Sequence, residues 1–458
     1  MSSGTTTTSP ENILKVREDV APLGFSMDGA DVQIISSPVP SWAAVADLNR
    51  SALRTRIEPW LTALFQADHL NLLVGSGLTN GVQYLAEATA GLSMAGGKFT
   101  AFSNEIATAA EASAVAAGRQ NANIEDEIRT ANQLARGLEI LGKASQAVAL
   151  REDLGTVLKD FADSILASER ALAGADEAKR QEAFNALVSF VMSFASRTGI
   201  RDRLGLFTTN YDRVLEVGAE LAGLHLLDRF VGTVSPIFRS SRMDLDLHYN
   251  PPGIRGEPRF VEGVARFTKL HGSLDWANVD ESIRRFGLPF GASKIEPYLE
   301  APGLSAAKAN SLMIYPNASK DRETAEYPYV ELFRDFAAAV ARPNAVTVTY
   351  GYSFGDEHIN RVLQDALAIP STHLVVISFD DKPGRIMRAF ESWGHPAQMS
   401  LLIGPELAEL SSLTSNYLPK PSIDLATRRM GDLLRQRYGL APSNTTPPST
   451  PSTSGGPA

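Results

Sequence analysis

Four short stretches of this 458-residue chain put glycine, hydroxyl, amide and imidazole groups in orders that could do chemistry: VGSGLT (74–79), TTNYD (208–212), LHGS (270–273) and YGYSFGD (350–356). In the first, Gly75 and Gly77 would let the backbone approach a pyrophosphate and offer N–H groups to it, with Ser76 and Thr79 adding hydroxyls. An ordinary strand-to-loop turn also uses two glycines. In the second, Asn210 could hold a ribose hydroxyl or a water as donor and acceptor together, beside Thr208, although a turn asparagine is commoner. Asp212 opens a helix there, and capping accounts for it better than direct catalysis. In the third, His271 carries the side chain whose proton affinity suits transfer near neutral pH, and Gly272 leaves room beside it. A lone histidine is usually structural. In the fourth, Gly351 makes the turn, Ser353 is suited to a phosphate or ribose, and the next helix favours anions at its start. Asp356 reads as that helix's cap and His358 as surface.

The elements around these stretches give them a common place. LNLLVGSG, LGLFT (204–208), ARFTKLHG (265–272) and AVTVTYGYS (345–353) each read as an apolar strand that ends where a motif begins. SLMIYP (311–316) and HLVVIS (373–378) read as further strands. Helical spacing marks 51–68, 212–223 with Gly223 at its end, 329–341 and 356–368. Near-continuous apolar strands alternating with helices predict an α/β fold: a Rossmann-like, doubly wound parallel sheet. In such a sheet ligands bind beyond the carboxyl ends of the strands, so the four motifs would share one cleft. Residues 101–199 break the alternation. They are rich in Ala, Leu, Glu and Arg, with Ile124, Ile128, Leu138 and Leu141, then Phe184, Leu187, Val191 and Phe194, at helical spacing, and Asn123 set to cap an acidic first turn. The expected organisation is an unstructured segment over 1–30, a nucleotide-binding domain made of 31–100 and 200–440, a large α-helical insertion over 101–199, and a Pro/Ser/Thr/Gly tail over 441–458.

Composition removes several classes. With no cysteine, the chain has no disulfide, no thiol nucleophile and no thiolate zinc site, and its seven histidines show no paired metal-ligand spacing. A net charge of −9 argues against a broad nucleic-acid surface, and the Arg239 and Arg242 pair reads first as solvated surface. No apolar run reaches membrane-spanning length, and the first residues lack secretory character, which gives a cytoplasmic expectation.

In order and placement the four motifs resemble the sirtuin superfamily: VGSGLT its phosphate loop, TTNYD its TQNID, LHGS its HG and GYS its GTS. Within the insertion only NIED (123–126) looks familiar. TTNYDRVLE, KLHGSLDW and YGYSFGDEHINRVL are closer still to bacterial sirtuin-like domains of anti-phage defence. That resemblance implies NAD+ as substrate, hydrolysed to ADP-ribose and nicotinamide without a metal. It assigns Asn210 and His271 as catalytic, and Gly75, Ser76, Gly77, Thr79, Thr208, Asp212, Gly351 and Ser353 to the nucleotide. It also implies a homo-oligomer and a HerA-type hexameric ATPase as possible partner. Two departures speak against peptide deacylation: the four-cysteine zinc module is missing, and GVQYLAEATAG stands where deacylases carry GIPDFRS. The competing readings are a catalytically silent subunit that binds NAD or ADP-ribose, and a DNA-cleaving effector, for which no carboxylate metal cluster stands out.

Overall fold

The computed structural model describes residues 10–45, 47–88, 96–116, 119, 121–196, 201–241, 246–249, 259–279, 282–300, 303–304 and 327–420. The expected strand at 311–316, Arg242 and the tail lie outside these. The chain divides into a unit Met1–Pro419 and a unit Lys420–Ala458, and the described strands and helices all belong to the first.

In chain order the strands are β1 (Asn12–Lys15), β2 (Leu23–Asp28), β3 (Asp31–Ile34), β4 (His69–Val74), β5 (Gly205–Thr208), β6 (His225–Leu227), β7 (Phe230–Val231), β8 (Ile237–Phe238), β9 (His248–Tyr249), β10 (Arg259–Phe260), β11 (Val264–Lys269), β12 (Trp276–Val279), β13 (Ser282–Arg285), β14 (Ala345–Tyr350), β15 (His373–Ser378) and β16 (Met399–Ile403). The helices that frame the sheet and the site are α1 (Arg50–Leu64), α2 (Ser76–Leu85), α3 (Ser103–Ala116), α4 (Ile124–Ile140), α5 (Ala144–Ala173), α6 (Glu177–Ala195), α7 (Val214–Leu221), α8 (Tyr329–Val340), α9 (Glu357–Leu367) and α10 (Arg385–Ser392). Ten strands form one sheet in the order β3-β2-β1-β16-β15-β14-β4-β5-β11-β6, parallel from β16 to β6. The α/β, doubly wound expectation therefore holds.

The parallel strands are buried on both faces, and their alternating side chains feed two cores. Leu70, Leu72, Val74, Leu206, Val346, Val348 and Tyr350 join α1, α2, α6 and α7 on one face. Leu73, Phe207, Leu374 and Val376 join α8, α9 and α10 on the other. The crossover helices change faces between β4 and β14, which is where the strand order reverses. A crevice opens at such a switch point.

Register sets the level of that crevice. Val74 pairs with Tyr350 on one side and with Thr208 on the other, and Thr208 pairs with Lys269. Gly75, Thr209, Leu270 and Gly351 therefore leave four neighbouring strands in one row, and the motifs converge because the strands end together.

Two expectations need correction. Residues 12–28 are not unstructured: β1 pairs antiparallel with β16, Ile13 opposite Ile403, and β2 and β3 extend that edge. The helical stretch is also not one body. Phe190, Val191 and Phe194 of α6 belong to the sheet core, whereas α3, α4 and α5 build a separate core with Leu274, Ala277 and Phe286. A small antiparallel sheet, β12-β13-β8-β7, stands beside it. Asn123 caps α4 as expected, in a reciprocal box with Asp126. No helix among the described residues is long and apolar enough to cross a membrane.

Candidate functional site

The β4–α2 turn packs directly on the β14 turn. A Cβ at Gly75 would lie 2.5 Å from the Gly351 carbonyl oxygen, and one at Gly77 would lie 2.5 Å from Gly351 Cα. Gly351 itself has φ +61°, a conformation that favours glycine. Gly75 N–H donates to Tyr350 O and Gly77 N–H to Gly351 O, both at 3.0 Å. The two glycines thus serve backbone-to-backbone packing, and their N–H groups are committed within the protein. Ser76, exposed as the first residue of α2, is what this turn offers to a ligand.

Asn210 sits in a closed set of hydrogen bonds. Its Nδ2 donates to Gly75 O at 3.1 Å and to Thr79 Oγ1 at 3.2 Å. Thr79 donates in turn to Asp212 Oδ2 at 2.8 Å, while Asp212 Oδ1 accepts from Val214 N–H at 3.1 Å. Thr208 donates to Val74 O and accepts the Asn210 N–H, each at 3.0 Å. A carbonyl facing Nδ2 fixes the amide's orientation. Both Nδ2 hydrogens are spent, so Asn210 can meet a ligand only as an acceptor, through Oδ1. Thr79 and Thr208, expected on the nucleotide, are buried and hold Asn210 in place. Asp212 does likewise and also ties down the start of α7.

His271 comes after β11, with Gly272 at φ +86° turning the chain behind it. Its Nε2 lies 3.2 Å from Asp356 Oδ2, and the two side chains keep 20% and 14% exposure, so the pair faces the crevice. The other oxygen of Asp356 accepts the N–H groups of His358 and Ile359. Asp356 is therefore a helix cap, as expected, and also the partner of His271, which sequence reading missed. In the tautomer that donates Nε2–H to this carboxylate, Nδ1 is the basic nitrogen. Tyr352, whose hydroxyl lies 3.0 Å from Asp356 O and 2.9 Å from Asn360 Oδ1 and has one hydrogen to share between them, stiffens this loop. Ser353 stands exposed on it.

Two arginines complete the rim. A Cβ built on Gly355 would lie 3.2 Å from Arg385 Nη1 and 3.4 Å from Ser353 Oγ, so both groups stand close together over Gly355. No hydrogen bond or ion pair joins Arg385 to another described residue, and its Nε is covered without a partner. Burial, and next the Arg119 guanidinium, hold Arg385 below the usual guanidinium value. Arg119 reaches this rim from the segment between α3 and α4, where Asp126 grips it at 2.5 Å through two nitrogens. Tyr211 Oη donates to Glu125 Oε1 at 3.0 Å, so the familiar NIED stretch does border the site. Arg385 was legible in principle, because FDDKPGR comes after the β15 strand end just as the other motifs come after theirs. Among the described residues no group of three or more His, Asp or Glu is placed to hold a metal ion.

No curated protein matches the chain. Residues 205–397, which carry Asn210, His271, Asp356 and Arg385, match the family model described as SIR2-like domain, and with the doubly wound sheet this supports a sirtuin-like relationship and an activity connected with NAD+.

Proposed function

We propose that the protein hydrolyses NAD+ to ADP-ribose and nicotinamide. The observation that carries this reading is the meeting, at one switch-point crevice, of an amide whose two hydrogens are committed and an imidazole paired with a carboxylate. The diphosphate would lie by Ser76, Ser353 and Arg385, where the open donors are. The nicotinamide riboside end would then reach Asn210 and His271. The ribose C1′–nitrogen bond breaks with its electron pair leaving on nicotinamide, which departs neutral, and positive charge develops on the ribose. Asn210 Oδ1 would accept a hydrogen bond from a ribose hydroxyl or from the attacking water. Water adds to C1′ and its proton passes to His271 Nδ1, while Asp356 stabilises the imidazolium, as a carboxylate does for a catalytic histidine. None of these steps assigns a role to a metal.

The resemblance extends the proposal to a cytoplasmic effector that depletes NAD+ during phage infection, as a homo-oligomer and with a HerA-type ATPase. Incubation of the purified chain with NAD+, with and without that ATPase, tests the reaction by product analysis. Equal release of nicotinamide and ADP-ribose is expected, unaffected by a chelator for the chain alone. NAD+ binding without turnover in either assembly would favour the silent-subunit reading. NAD+ consumption only with an acetyl-lysine peptide would favour deacylation.

A further inference from the structure

A second cavity lies behind the Thr208–Arg213 segment, on the α7 side of the sheet. It holds about 630 Å³ and is walled by Val217, Phe267, Trp276, Phe286, Leu288 and Phe290. Asn210, His271, Ser353 and Arg385 do not line it. Sites for small organic molecules occupy roughly 300–1,000 Å³, mostly apolar with a few placed polar groups.

The polar groups of this wall are unevenly satisfied. Its arginines and lysine are paired: Arg213 Nη2 with Glu169 at 2.5 Å, Lys269 with Glu216 at 2.7 Å, and Arg285 with Asp228. Two carboxylate oxygens are not. Among the described residues, Asp275 Oδ1 and Glu216 Oε2 are closed off from solvent without a hydrogen-bond partner, and Asp275 as a whole is only 9% exposed. The mouth adds Glu220 and His225, both exposed. Those two oxygens are what a donor would satisfy. A covered carboxylate oxygen without a donor costs stability, so the missing partner carries N–H groups and positive charge.

We propose that this cavity binds a small organic cation, its ammonium or guanidinium group donating to Asp275 and Glu216 and its apolar body lying against Phe267, Trp276 and Phe286. The cavity also touches the candidate site. Lys269 Nζ donates to the Asp212 carbonyl at 2.5 Å as well as to Glu216. A cation competing for Glu216 alters the hold of Lys269 on the segment that positions Asn210. Binding at this cavity stands independently of whether the front crevice cleaves NAD+.

The test is calorimetric titration of the full chain with agmatine and tyramine, and with 4-ethylphenol as the neutral counterpart of tyramine. At least one amine is expected to bind with Kd near or below about 1 mM, with 4-ethylphenol at least 10-fold weaker. Asp275→Asn and Glu216→Gln should each weaken the amine about 10-fold, with ADP-ribose titration serving as a separate check on the front crevice. Burial raises Glu216 to about 7, with Lys269 opposing and Asp275 reinforcing, so amine affinity should rise between pH 6 and 8 as Glu216 ionises. That pH trend and the neutral control need no variant and hold even if a substitution unfolds the chain. Absence of binding by both amines, equal binding of 4-ethylphenol, or affinity indifferent to pH and to both substitutions would overturn the proposal.

Discussion

The Thr208–Arg213 segment treats polar groups in opposite ways on its two sides. Toward α2, the side chains of Thr79, Thr208 and Asp212 are hydrogen-bonded within the protein, and Asn210 has both amide hydrogens committed. Toward α7, Glu216 and Asp275 keep covered oxygens with no donor. A closed network fixes an atom's position before any ligand arrives, which is what a group that must aim at a reacting carbon needs. An open network has hydrogen bonds left to give, which is what a binding cavity needs. The same strand end thus supports pre-set aim in front and unfilled acceptor capacity behind.

The largest expected effects lie in front. His271→Ala should lower the initial rate of NAD+ cleavage by roughly 10²–10⁴-fold, the usual contribution of a positioned proton-transfer group. Asn210→Ala should cost on the order of 10²–10³-fold. The double variant should be little worse than the poorer single one, because residues acting on one water are not additive. Asp212→Asn, which capping alone would make mild, should lose about 10-fold, since an amide has one acceptor oxygen for the two donors Asp212 receives. Near wild-type rates in folded His271→Ala, shown by its melting curve, would break the assignment of aim to the front.

Where the two sides meet, the effect should be on stability. Glu169, fully buried on α5, accepts the Arg213 N–H at 2.9 Å and its guanidinium besides. Glu169→Ala leaves a buried arginine unpaired and should cost about 3–5 kcal/mol in denaturant unfolding. A loss under about 1 kcal/mol would show that Arg213 reaches solvent through the rear cavity.

Arg385→Ala sharpens the description of the front rim. Loss of one charge-assisted contact to phosphate should raise the KM for NAD+ about 10-fold with kcat little changed. Cleavage of nicotinamide riboside, which has no phosphate, should not respond. Equal effects on both substrates would remove Arg385 from the diphosphate.

The last effect concerns pH. The folded-state pKa of Glu216, about 7, lies above the ordinary carboxyl value, so the folded chain keeps a proton that the unfolded chain releases. The stability this contributes is fully present below about pH 4.5 and lost as pH rises through 7. Glu216→Gln should flatten that part of the stability curve by about 3 kcal/mol. An unchanged slope would mean that the rear acceptors are already satisfied.

Much of the architecture was readable because the central strands are apolar on both faces and break at glycine or polar turns. The strands at 69–74, 205–208, 264–269, 345–350 and 373–378 all stand within about three residues of where pattern put them. The N-terminal edge was not readable. Its strands are short and polar, and Lys15 looks like a surface residue. Yet Lys15 is buried, donating to Pro396 O at 2.6 Å and Met399 O at 2.7 Å, partners more than 380 positions away. Asp356 was readable as a cap, because capping is local. Its bond to His271, 85 residues earlier, was not.

The sequence by itself determined the central strands, about where each ends, and which side chains stand at those ends, because apolar runs and turn residues act over a few neighbours. The tertiary structure alone decided what each of those side chains does. It packed Gly75 and Gly77 against the β14 turn, closed Thr79, Thr208 and Asp212 around Asn210, joined Asp356 to His271, and left Asp275 Oδ1 without a donor among the described residues. Hydrogen-bonding capacity is finite at every polar atom, and only the folded chain shows where that capacity has already been used.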